Sequence, residues 1–134
     1  MHTLRNKHIV AIDDAPSILK FLRVSLEALG ADYHEAQTAS GGLVLCERIM
    51  PDVVVLDLGL PDKEGFTILP QLKRLDKETH LPIVVVLTVR NDLKFKAMAE
   101  ALGADAYITK PFHMEDLVDV IYNKLGITPP QRPN

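Results

Sequence analysis

Five polar residues are set apart by what precedes them. Asp13 and Asp14 follow "HIVAI", Asp57 follows "VVVL", Thr88 ends "IVVVLT", and Lys110 follows "AYIT". Three carboxylates gathered in one place repel, and at least one pKa rises unless a cation compensates. A hard divalent cation such as Mg²⁺ is the natural compensation, because it takes oxygen ligands in octahedral geometry, keeps several waters and shares its site with phosphoryl groups. A lysine can neutralise phosphoryl oxygens, and a threonine hydroxyl can donate to one of them. Brought together, the set suits phosphoryl transfer onto a carboxylate.

The elements that must gather these residues are legible. His8 to Ile12, Val53 to Leu56 and Ile83 to Leu87 are β-branched-rich and apolar at both parities, the pattern of central strands covered on two faces in a parallel sheet. Asp32 to Ala36 and Ala104 to Ile108 are more polar and read as edge strands. Between them the pattern predicts helices. The first spans Pro16 to Leu29, with Ile18, Leu22, Leu26 and Leu29 on its stripe and Gly30 at its stop. The others span Ser40 to Ile49 behind a Thr38/Ser40 cap, Glu64 to Leu75, Asp92 to Leu102 and Met114 to Leu125. Pro70 falls inside the third and predicts a kink or a late start. Strict alternation of strand and helix implies right-handed crossovers and a three-layer α/β sandwich, with sites beyond the carboxyl ends of the strands. All five polar residues fall at those ends.

Bulk properties narrow the classes further. A chain of 134 residues is one domain in size, and its net charge of −3 gives no field for nonspecific binding to nucleic acid or an anionic membrane. The single cysteine, Cys46, sits among Leu43, Leu45 and Ile49, which predicts an inert buried thiol and a reducing, cytoplasmic setting. No apolar stretch reaches the length of a membrane span. His2, His8, His34, His80 and His113 have no ligand spacing, and the proline-rich tail, residues 127–134, reads as a terminus or the start of a linker.

With these motifs in order, "VAIDDAP", "VVVLDLGLPDKEGF", "VVVLTV" and "GADAYITKPF", the chain resembles the receiver domain of bacterial two-component response regulators over residues 5–126. The resemblance implies a flavodoxin-like fold with a five-stranded parallel sheet in the order 2-1-3-4-5. It implies that Asp57 accepts a phosphoryl group from a sensor histidine kinase or phosphotransfer protein, and that Asp13, Asp14, Asp57 and the Gly59 backbone carbonyl hold Mg²⁺. Lys110 would pair with the phosphoryl group across a cis Lys110–Pro111 bond, and Thr88 with Tyr107 would form the switch. That switch would alter the face made by the fourth helix, fifth strand and fifth helix.

Departures from the family pattern carry expectations of their own. Val89 stands where similar receivers have a small residue, which predicts a narrowed approach to Asp57. "DLGLPD" is similar to transcription-factor receivers, potassium-responsive ones among them, that dimerise through that face. Ala106 and "EDLVDVI" lack the acid and the arginine of their charged network, so a homodimer there stays open rather than implied. An Mg-dependent aspartyl phosphatase of the haloacid-dehalogenase type is disfavoured by Gly59, where such enzymes carry a second aspartate. A phosphorylation-independent adaptor is disfavoured by the intact acid, hydroxyl and lysine set. The reading is therefore a signalling domain rather than an enzyme.

Overall fold

The computed structural model describes residues 3–75 and 81–129. Five strands and five helices alternate: β1 (His8–Ile12), α1 (Pro16–Ala28), β2 (Asp32–Ala36), α2 (Ala39–Ile49), β3 (Val53–Leu56), α3 (Gly65–Leu72), β4 (Ile83–Thr88), α4 (Leu93–Ala101), β5 (Ala106–Thr109) and α5 (Met114–Leu125). All pairings are parallel, and the sheet order is β2-β1-β3-β4-β5. The three strands expected at the centre are the three interior ones, and the two polar strands are the edges.

The sheet divides the core by residue parity. Ile9 and Ala11 of β1 join Leu19, Leu22 and Leu26 of α1 and Leu117, Ile121 and Tyr122 of α5. Val10 and Ile12 join Ala39 and Cys46 of α2, Ile68, Leu69 and Leu72 of α3, and Ala99 of α4. Burying one aliphatic side chain contributes about 1.5–3 kcal/mol, and all four residues of β3 are buried. The end of β3 is therefore held rigidly.

Local chemistry accounts for the helix boundaries and for several departures from expectation. Pro16 opens α1, and the residue before it is Ala15, so the helix starts with no side-chain cap. Leu19, not Ile18, is the fully buried residue of the first turn, with Ile18 and Leu29 partly buried. Thr38 caps α2 as expected, its hydroxyl oxygen accepting from the Gly41 N–H. α3 neither starts late enough to put Pro70 in its first turn nor reaches Leu75: Pro70 lies inside it and the helix stops at Leu72. Pro70 has no N–H to give to the helix, yet the Lys73 N–H still donates to the Leu69 carbonyl beyond it, so the proline is tolerated. β5 begins later than expected, at Ala106, because Ala104 and Asp105 serve the turn, where the Asp105 carboxylate accepts from the Val84 N–H and from Lys73.

His8 of β1 pairs with Asp32 at 2.6 Å and so ties the β2 edge to β1, while His34 pairs with Asp32 within β2 at 3.1 Å. His2, His80 and the tail residues 130–134 lie outside the described residues. Of residues 127–129, Ile127 donates its N–H to the Tyr122 carbonyl and packs on the core. No helix among the described residues is long and apolar enough to cross a membrane.

Candidate functional site

The backbone ladder runs one residue past the strands and so fixes the residues at the rim. Asp13 N–H donates to the Ala36 carbonyl, Asp57 N–H to Ile12, and Lys110 N–H to Thr88, at 3.1, 2.9 and 2.7 Å. Each donor is the residue immediately beyond its strand. The consequence is that β1, β3 and β5 deliver Asp13, Asp57 and Lys110 to one rim with Thr88 on the end of β4.

Lys110 is the hub. Its Nζ donates to Asp13 Oδ2 at 2.6 Å and to Asp57 Oδ2 at 3.4 Å. Asp13 and Asp57 are buried, Asp14 is exposed, and ligand oxygens from the three lie within 4.8 Å of one another. The donors are all hard oxygens, with no sulfur or imidazole nitrogen among them, which is the chemistry Mg²⁺ or Ca²⁺ takes and zinc ordinarily does not. Burial pushes the Asp13 carboxyl above its ordinary value, opposed by Lys110 and by the Ala15 N–H that donates to its other oxygen. Three acids held against one lysine leave the rim short of positive charge.

The loop after β3 is moulded around Asp57. The Gly59 N–H donates to Asp57 Oδ1 at 3.3 Å, and Gly59 forms an antiparallel bridge with Glu64. The Gly65 N–H donates to the Leu58 carbonyl. A β-carbon on Gly65 would stand 2.5 Å from the Asp57 carbonyl oxygen, so only glycine allows α3 to start that close.

Thr88 is fully buried and its hydroxyl oxygen accepts a long bond, 3.4 Å, from the Arg90 N–H. Tyr107 is partly buried, packs with the α2–α4 side of the core and donates its hydroxyl to the Arg90 carbonyl at 2.6 Å. Burial raises its phenol pKa. The structure thus bonds Lys110 to Asp13 and Asp57, brings Asp14 beside them, and links Thr88 and Tyr107 through Arg90. The Lys110–Pro111 bond is cis. Val89 is 69% exposed, and it is Arg90, next to it, that reaches back over the site: a β-carbon on Gly59 would lie 3.9 Å from its guanidinium.

Three residues near the site carry no signal in the sequence reading. Asp62 accepts from the Ala39 and Ser40 N–H groups at 2.8 and 3.0 Å, fastening the loop after β3 to the start of α2. Arg90 and Glu64 form a two-pronged pair at 2.6 and 3.0 Å. These contacts join segments remote in sequence, and periodicity and spacing are blind to those.

Residues 9–122 match the family model described as the response regulator receiver domain, and the chain belongs to that family. Among curated relatives it is 40% identical over 110 residues to the transcriptional regulatory protein KdpE of Mycobacterium tuberculosis, an alignment covering 82% of this chain and 47% of that protein. It is 36% identical over 110 residues to the DNA-binding dual master transcriptional regulator RpaA of Synechocystis, covering 82% of this chain and 45% of that protein. The chain therefore spans about half the length of these relatives. Among solved structures, a CheY-like response regulator receiver domain protein from Methanospirillum hungatei superposes with a TM-score of 0.83 at 32% identity, over 90% of this chain and 94% of that one.

Proposed function

We propose that this receiver takes a phosphoryl group from a phosphohistidine of a sensor kinase or phosphotransfer protein onto Asp57. The observation that carries the reading is the single lysine bonded to both Asp13 and Asp57 at the rim. An Asp57 carboxylate oxygen attacks phosphorus, the P–N bond breaks as the P–O bond forms, and the electron pair stays on the imidazole nitrogen. Lys110 then neutralises phosphoryl oxygen and Thr88 donates to another. Asp13, Asp14, Asp57 and the Gly59 carbonyl would hold Mg²⁺, which supplies the positive charge that the rim lacks. The strand ends position the nucleophile in advance, so little of the barrier goes to orientation.

Phosphorylation adds charge and acceptor oxygens beside Thr88, and the response passes to Tyr107 through the segment that both residues bond. The readout face is α4, β5 and α5. On it Leu93 and Met98 stand exposed on α4 and offer apolar contact to a second copy or to a partner protein.

Incubation with Mg²⁺ and acetyl phosphate, and separately with a phosphorylated histidine kinase, tests the reading by intact mass. The expected result is one added phosphoryl group that needs Mg²⁺ and is absent in Asp57→Asn. No adduct from either donor would sink it, leaving the adaptor reading, and sustained turnover of organic phosphates would favour a phosphatase.

A further inference from the structure

Resting on the assignment of Asp57 as phosphoacceptor, we propose that Arg90 and Glu64 form a charge latch across the phosphoryl site. Arg90 leaves Glu64 for the phosphoryl oxygens when Asp57 is phosphorylated, and its backbone carries that movement to Tyr107.

Geometry makes Arg90 a junction. Its guanidinium holds Glu64 in a fork at 2.6 and 3.0 Å, so the loop after β4 is strapped to the residue directly before α3. Its N–H donates to the Thr88 hydroxyl oxygen, and its carbonyl accepts from the Tyr107 hydroxyl. One residue therefore touches both members of the switch pair through its main chain while its side chain lies beside Gly59.

The pair is placed to be broken. The Arg90 and Glu64 side chains are 27% and 54% exposed, and exposed ion pairs stabilise little. The competing partner is stronger: a phosphoryl group carries close to two charges, and its oxygens match the planar guanidinium fork. Lys110 brings a single positive charge, shared with Asp13 and Asp57, against the charge that a phosphoryl group adds. The negative charge of Asp57 already acts on Arg90 and adds to the effect of Glu64 in raising its pKa. On release from Glu64 the guanidinium does not lose all support, since it also lies 5.3 Å above the Phe95 ring, which stacks on Phe66. Moving the side chain inward pulls on the Arg90 carbonyl, and the Tyr107 hydroxyl bonded there must follow or let go.

The test uses the purified chain with Mg²⁺ and acetyl phosphate, following adduct formation and loss by intact mass in wild type, Glu64→Gln, Arg90→Ala and Arg90→Lys. Thermal unfolding first establishes that each variant folds. Glu64→Gln, which frees Arg90, is expected to raise the steady-state ratio of phosphorylated to unphosphorylated chain about three- to fivefold, the upper part of the shift that an exposed ion pair gives. Arg90→Ala is expected to lower the ratio and to cancel the Glu64→Gln gain in the double variant, and Arg90→Lys to restore part of it. Beryllofluoride with Mg²⁺ supplies a second readout, a shift of the Arg90 side-chain Nε resonance that Asp57→Asn lacks. A wild type that forms no adduct and shows no beryllofluoride response overturns the proposed function and the latch with it. A wild type that is phosphorylated normally, with every variant within twofold of it and the Arg90 Nε resonance unmoved, overturns the latch alone.

Discussion

At Asp57 a close constraint is the missing side chain of the first residue of α3. Gly65 has no side chain where a β-carbon would meet the Asp57 carbonyl at 2.5 Å and the Leu58 Cα at 2.8 Å. Both obstacles are backbone, so neither can rotate away. Gly65→Ala is expected to destabilise the protein by about 1–3 kcal/mol, the usual cost of forcing an extra methyl into a packed place. The same displacement tilts the Asp57 carboxylate, so the variant should also accept phosphoryl groups more slowly. Urea unfolding and intact-mass kinetics measure the two effects, and a variant with unchanged midpoint and rate would contradict the packing argument. At this scale the sequence was informative for residues at strand ends, since a charge directly after an apolar run has few structural reasons to be there. It was silent on Arg90 and Glu64, whose meeting depends on how two loops bend.

Among the elements, α2 shows how a helix can be completed from outside itself. Thr38 supplies the expected cap, but two N–H groups of the first turn go to Asp62, twenty-odd residues away on the loop that carries Gly59. Those N–H groups, Ser40 first and then Ala39, hold the Asp62 carboxyl well below the ordinary 3.8. A depressed folded-state pKa contributes stability that is present above the unfolded value and lost as the pH falls through the folded one. Asp62→Ala should therefore melt below wild type at neutral pH, with the gap closing as the pH drops below 3.8. Thermal unfolding across that range checks it; a gap that stays constant into strong acid would show that Asp62 acts by some means other than its charge. Helix existence and strand centrality were readable from periodicity because burial repeats along the chain. The short α3 and the late start of β5 were not, since a proline tolerated inside a helix and an aspartate recruited to a turn are settled by tertiary contacts.

The whole molecule is closed around two cores that share the sheet as a common wall. Cys46 lies fully buried on the α2 side, and burial pushes its thiol up to about 12. Ellman's reagent at about pH 8 should find no thiolate in the native chain, and labelling in rising urea should track global unfolding rather than precede it. Rapid labelling in native buffer would mean that α2 opens by itself. The sandwich architecture was legible from alternation, whereas strand order came from the family likeness, because alternation alone does not say where the winding reverses.

The parity of β5 has a further consequence. Tyr107 belongs to the α2–α4 half, while its chain neighbours Ala106 and Ile108 belong to the α1–α5 half. Adjacent residues on this edge therefore speak to different listeners, and the side of the wall works as an address. A slip of β5 by one residue would carry Tyr107 to the α1–α5 half and Ala106 and Ile108 to the other.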